Sequence, residues 1–151
     1  MSYAIDEKDR KILEVLKEHG EYTTRQIGKK TLLPVTTIHH RIKRLKQEGV
    51  IKKFTIEVDQ SKVEKGLMAY VLVSASLQVL KHKRKTQHDL VKEIKALGFI
   101  ERADIVSGGT DIVVVIRVKD VAEFNKVLLG KLQMLEGIEK THSLIVIEEG
   151  K

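Results

Sequence analysis

Apolar positions in the first third of the chain repeat with helical spacing. Between Ile5 and His19 they fall at Ile5, Ile12, Leu13, Val15 and Leu16, and Ile5, Ile12 and Leu16 share one stripe. Asp6 suits the N-cap of this helix, with Asp9 three residues on in a near capping box, and Gly20 suits the position just past its end. "TTRQIGKKT" predicts a short second helix with Thr23 as its cap and Ile27 pointing inward. "TLLPV" breaks it, and Pro34 fits the first turn of a new helix but not the interior of an old one. The third helix runs to about Glu48, where Gly49 ends it. Ile38, Ile42 and Leu45 define its buried face, while Thr36, His40, Lys43 and Gln47 lie opposite, with Thr37 and Arg44 at the edge. Three short helices with a tight turn before the last predict a helix-turn-helix. "VIKKFTIEVD" then alternates like a strand, leaving as a wing or linker, and "DQSKVEKG" marks a boundary.

Beyond Gly66 the period changes. "LMAYVLVSASLQVL" predicts a strand and "TQHDLVKEIKALG" a helix with Leu90, Ile94 and Leu97 inward. "FIERADIVSG" and "TDIVVVIRV" are two more strands, "KDVAEFNKVLLGKLQML" a helix, and "GIEKTHSLIVIEE" a closing strand. A weak repeat, "IERADIV" against "IEKTHSLIV", divides this β-α-β-β-α-β order into two halves. The expected class is therefore α+β. A winged-helix-like helix-turn-helix domain (residues 1–52) and a linker strand and hinge (53–65) precede a ferredoxin-like βαββαβ sandwich (66–151). "YVLV" and "VVVIRV" are nearly continuous apolar runs, so the sheet face away from the helices needs a cover, and a second copy of the chain is the economical one.

Charge sharpens this picture. The net charge is +7, but residues 25–53 hold nine basic and one acidic side chain, whereas residues 1–24 and 93–151 are each net −2. A local patch of that size is aimed at a polyanion. The 151 residues contain no cysteine, which excludes disulfides and cysteine-based metal or redox sites and agrees with a reducing cytoplasm. The polar start "MSYAIDEKDRK" is unlike a signal peptide, and no apolar run approaches the roughly 20 residues that span a bilayer, so no membrane role is expected.

A major groove about 12 Å wide admits one α-helix, whose outward residues reach base edges while flanking cations hold phosphates. Thr36, Thr37 and His40 are the expected base readers, Lys43 and Arg44 reach bases or phosphates, and Arg25, Lys29, Lys52 and Lys53 face phosphates. Arg41 flanks the buried stripe, where a phosphate contact and an ion pair with Glu48 are both open. The histidines at 39, 40, 82 and 88 read as surface residues, and neither a metal site nor a cofactor nor a nucleophile-base-acid set is expected. "SGGTD" lacks the spacing of a nucleotide fingerprint and reads as a glycine hairpin turn that a ligand can approach closely.

The stretch from "IDEKDRKILEVLKEHG" through "RIKRLKQEGVIKKFTIEVD", with "SGGTDIVVVIRV" and "EGIEKTHSLIVI", resembles the Lrp/AsnC family, the feast/famine regulators of bacteria and archaea. The resemblance spans nearly the whole chain. It implies a sequence-specific transcription regulator that is not an enzyme, forming homodimers on pseudo-palindromic double-stranded DNA and assembling further into tetramers or octamers. It also implies an amino-acid effector bound where dimers meet. In that setting the backbone of Gly108, Gly109 and Thr110 would take the carboxylate, Asp111 the ammonium, and Thr141 and Ser143 would add hydroxyl contacts. The Lys/Glu/Ile/Val-rich composition points to an archaeal source. Three positions depart from the family pattern: Leu32 replaces the usual glycine of the turn, Pro34 stands near the usual cap of the recognition helix, and "KHKRKTQH" lengthens a connection. Two rivals are a DNA-wrapping architectural protein of low sequence specificity and an enzyme-related ferredoxin-like subunit. Lysine abundance and the extra basic loop favour the first, and no catalytic constellation supports the second.

Overall fold

The structure, a computed structural model, describes residues 3–150. The chain divides into two compact units, one ending at Val58 and one beginning at Asp59. The first unit contains α1 (Glu7–Glu18), α2 (Thr24–Thr31) and α3 (Val35–Gln47). Local chemistry sets the starts of the first two. Asp6 and Asp9 form a full reciprocal capping box on α1, and Thr23 and Gln26 form another on α2. Ile12, Ile27 and Ile38 come together as the core, with Leu16, Tyr22 and Ile42 half-buried against it. Gly49, at φ +71°, ends α3 in the left-handed conformation that glycine adopts without strain.

The alternating stretch after α3 is not a strand. No described residue pairs with 50–58, and Ile56 is 81% exposed. Alternation predicts a strand only where a neighbouring strand supplies the ladder, and this unit is otherwise helical.

The second unit opens with a 3-10 turn, Gln60–Val63, followed by β1 (Leu67–Ala75), α4 (Leu77–His82), α5 (Gln87–Lys95), β2 (Ile100–Ile105), β3 (Ile112–Val118), α6 (Val121–Val127) and β4 (Ile138–Ile145). The four strands form one sheet in the order β2-β3-β1-β4, antiparallel throughout. That order and the helices on one face are those of the expected ferredoxin-like sandwich. Val71, Val73, Val114 and Ile116 point into the core with Leu90 and Ile94 of α5 and Phe124 of α6. Two expected boundaries move. β1 stops at Ala75 instead of continuing through Leu80, because Ser76 accepts a hydrogen bond from the Val79 N–H and starts α4, whose Leu80 is buried. The last helix, expected as one piece, ends at Val127 and widens into a π turn over Leu128–Leu132, whose Leu128 and Leu132 stay in the core.

The other face of the sheet carries Tyr70 beside Val115 and Leu144, and Leu72 beside Val113 and His142. Tyr70 and Leu144 are exposed.

Candidate nucleic-acid interface and effector loop

α3 differs from the other helices of its unit at its N-terminus. Pro34 is its N-cap, and no side chain caps the free amides of its first turn. Those amides carry the positive end of the helix dipole, and an anion is their natural partner. Along the same helix Thr36, His40, Lys43 and Arg44 are exposed and Thr37 is half-buried, whereas Ile38 and Leu45 are fully buried. Arg25 and Lys29 are exposed on α2, four residues apart and therefore on one face. Lys52 and Lys53 are exposed in the segment after α3. The Arg44 guanidinium stacks 4.3 Å from the centroid of the Tyr3 ring, and Lys46 lies 5.0 Å from that of Phe54. Such stacking fixes a cation's direction while leaving its charge available.

Arg41 is a correction to the sequence reading. Its Nη1 donates to the Asp6 carboxylate and, at 3.0 Å, to that of Asp9. Asp9 is fully buried, so it needs this cation, and the partner expected at Glu48 is replaced by two acids 35 and 32 residues earlier in the chain. Arg41 thus ties α3 to the start of α1 through Nη1. The same hydrogen bond holds the Asp6 carboxyl below the usual carboxylate range and pushes the Arg41 guanidinium up. Asp9 also accepts from the Tyr3 hydroxyl, which raises the Tyr3 pKa. Sequence reading missed Asp9 in this role because a capping acid and a buried acid look alike until the third helix is in place.

In the second unit the loop between β2 and β3 exposes Gly108 and Gly109, with Thr110 and Asp111 half-buried. Gly108 has φ +126°, a conformation open to glycine, and nothing lies within 4 Å of where a Cβ would stand at either glycine. A ligand can therefore approach this backbone. Asp111 is already engaged: Oδ2 accepts the Ala75 N–H at 2.8 Å and Oδ1 accepts from Gln87 Nε2 at 3.3 Å. It fastens the end of β1 and the start of α5 to the loop, which leaves fewer lone pairs for an ammonium than a free carboxylate has. Thr141 and Ser143 pair with Val73 and Val71. Val73 also pairs with Ile112, next to Asp111, so Thr141 lies at the loop's end of the sheet, two strands away or about 10 Å. Its hydroxyl accepts from Gln133 Nε2 at 2.7 Å, a partner that sequence alone did not indicate.

Comparison with known proteins matches both units. Residues 5–52 match the winged helix-turn-helix DNA-binding family model, and residues 70–151 match the Lrp/AsnC ligand binding domain. The HTH-type transcriptional regulator FL11 of Pyrococcus furiosus is 35% identical over 97% of this chain and 92% of its own length. An uncharacterized HTH-type transcriptional regulator of the same organism is 31% identical over 96% of this chain and 94% of its own. Among solved structures, a Neisseria meningitidis transcriptional regulator in complex with L-Met superposes with TM-score 0.89 at 24% identity, covering 98% of this chain and 93% of that one. AsnC of E. coli gives 0.83 at 22%, covering 97% and 95%. Among the described residues no helix is long and apolar enough to cross a membrane.

Proposed function

Because the chain belongs to the Lrp/AsnC family of DNA-binding transcriptional regulators, we propose that α3 is its recognition helix and that the second unit senses a small molecule, an amino acid in the first instance. The observation that carries the first part is the uncapped start of α3 beside its exposed Thr36, His40, Lys43 and Arg44. Thr36, Thr37 and His40 read base edges in the major groove, with Lys43 and Arg44 beside them. The first-turn amides, Arg25, Lys29, Lys52 and Lys53 hold phosphates. Residues 1–52 act as the DNA-binding domain, 53–65 as the hinge and 66–151 as the sensing and oligomerisation domain.

Two copies meet through the apolar sheet face of Tyr70, Leu72, Val113, Val115 and Leu144, and the two-fold dimer reads a pseudo-palindromic site. The effector's carboxylate lies on the Gly108–Thr110 backbone, where dimers meet in larger assemblies. The Asp111 bonds favour a role in holding that loop as much as in touching ligand. A ligand acts there only by binding one assembly or DNA-head arrangement more tightly than another. The L-Met complex of the Neisseria meningitidis protein is consistent with an amino-acid effector.

A second reading, DNA wrapping with little sequence choice, draws on the exposed Lys81, His82, Lys83 and Arg84 of the sensing unit. One experiment separates the two: fluorescence-anisotropy titration of DNA from the protein's own upstream region against a scrambled duplex, at two salt concentrations, with and without the twenty amino acids. Preference for the upstream DNA that amino acids alter supports the sensor-regulator. Equal, salt-sensitive binding to both that grows with duplex length supports wrapping, and no binding to either refutes the assignment of α3.

A further inference from the structure

The residues that lead into β1 fold back across the far end of β3. Glu64 takes a left-handed φ of 57°, and the Lys65 N–H donates to the Gln60 carbonyl at 2.9 Å. The Glu64 carboxylate meets Lys119 Nζ at 3.4 Å. Between this turn, Phe99 at the head of β2, the end of β3 and α6 lies a cleft of about 480 Å³. Small-molecule sites occupy roughly 300–1,000 Å³. The cleft is separate from the Gly108–Asp111 loop: Val118 in its wall pairs with Leu67, whereas Ile112 beside the loop pairs with Val73, at the other end of the same two strands.

Its lining is amphipathic and cationic. Phe99 and the nearly buried Val118 and Val127 give an apolar floor, and Lys65, Lys119 and Lys131 bring positive charge from three separate segments. Lys131 Nζ stands 5.9 Å from the Phe99 ring centroid. Arg117 also borders the cleft, but its guanidinium is closed off: Nε donates to Glu101 at 2.7 Å, and Nη1 and Nη2 donate to Glu149 at 2.6 and 2.8 Å. The Glu123 carboxylate accepts the Lys119 N–H at 2.7 Å and stays a charged acid of the lining, while Glu64 pairs directly with a lysine ammonium, so three lysines face two acids. The Glu64–Lys119 pair is exposed and long, the kind a ligand exchanges at little cost.

We propose that this cleft is a second small-molecule site, for an organic carboxylate with a compact apolar body. The carboxylate is drawn to Lys65, Lys119 and Lys131, displacing Glu64 from Lys119, and the body lies on Phe99, Val118 and Val127. Since Val63–Lys65 form one wall, an occupant holds the turn leading into β1 in a single setting. The inference does not rest on the reading of the Gly108–Asp111 loop.

The test uses the full chain and phenylacetate, with neutral phenylacetamide as control, by isothermal titration calorimetry and amide hydrogen exchange. Phenylacetate should bind saturably and protect peptides covering 59–67 and 96–101. Phenylacetamide should bind about tenfold more weakly, as loss of one charge-assisted contact implies. The double variant K119Q/K131Q alters exposed side chains and should keep the wild-type melting temperature while losing affinity by about tenfold or more. F99L, which trims the floor without removing charge, should weaken both compounds alike. Absence of saturable heat, protection at 107–112 instead, or equal affinity for the amide overturns the proposal.

Discussion

Replacing Arg41 by Gln removes the guanidinium that joins Asp9 and Asp6 to α3. Removing one partner of a fully buried pair costs about 3–5 kcal/mol, because the remaining charge is stranded. Here Asp9 is 0% exposed but the Arg41 side chain is 25% exposed, and Asp9 keeps the Asp6 N–H at 3.2 Å and the Tyr3 hydroxyl. Water reaches one end of the pair and two donors remain, so about 2 kcal/mol is expected. A unit with so small a core holds only about 3–5 kcal/mol in total, and the variant should give up a large part of it. Chemical denaturation of the full chain, followed by far-UV circular dichroism, should show the helical unit unfolding at lower denaturant. Below that transition, DNA binding should keep the wild-type dependence on salt, because no phosphate contact has been lost. Lys29→Gln, at an exposed residue assigned to phosphate, should do the opposite: unchanged unfolding, and a slope of log K against log salt that is shallower by about 0.9. Arg41→Gln with wild-type unfolding and a slope reduced by that amount would refute the structural role of Arg41 and restore it to the DNA surface.

Three further outcomes follow from single features. Leu32 ends α2 with φ 58° and is 88% exposed, so Leu32→Gly removes left-handed strain with little lost packing, and thermal unfolding should show the helical unit stabilised by about 1 kcal/mol. Gly137 combines φ +106° with a would-be Cβ only 2.6 Å from Leu80 Cδ2, so Gly137→Ala should lower the melting temperature of the C-terminal unit, at a cost of about 2–3 kcal/mol. Asp6 titrates below its ordinary value in the folded protein, so its stabilisation is complete above about pH 4 and is lost as the pH falls through the lower folded value. An acid titration of stability should therefore lose part of its low-pH slope in Asp6→Asn; an identical slope would show that the Arg41 bond does not form in solution.

The contrast between Arg41 and Lys43 shows where sequence reading stops. Lys43 could be placed because one helical period fixes which residues oppose Ile38, Ile42 and Leu45. Arg41 lies at the margin of that stripe, and its partner depends on which residues the fold brings near it. Asp111 is similar: a glycine turn followed by an acid is legible, but Ala75 and Gln87 reach that acid only after the sheet has closed. Thr141 was visible as a strand hydroxyl, while its engagement by Gln133 depends on the turn after α6.

What the sequence determined by itself is local in origin. Caps act within three residues, as Asp6 with Asp9 and Thr23 with Gln26 show, and the helical period of 3.6 names the inward faces of α3 and α5. The concentration of basic residues between 25 and 53 is likewise a property of the chain before it folds. Only the tertiary structure decided that 50–58 finds no pairing strand among the described residues, that Asp9 is buried, and that a lysine-lined cleft opens where the Val63–Lys65 turn crosses the end of β3. Each joins groups distant in sequence, and the free energy of burying a charge or pairing a strand depends on neighbours that no short-range pattern encodes.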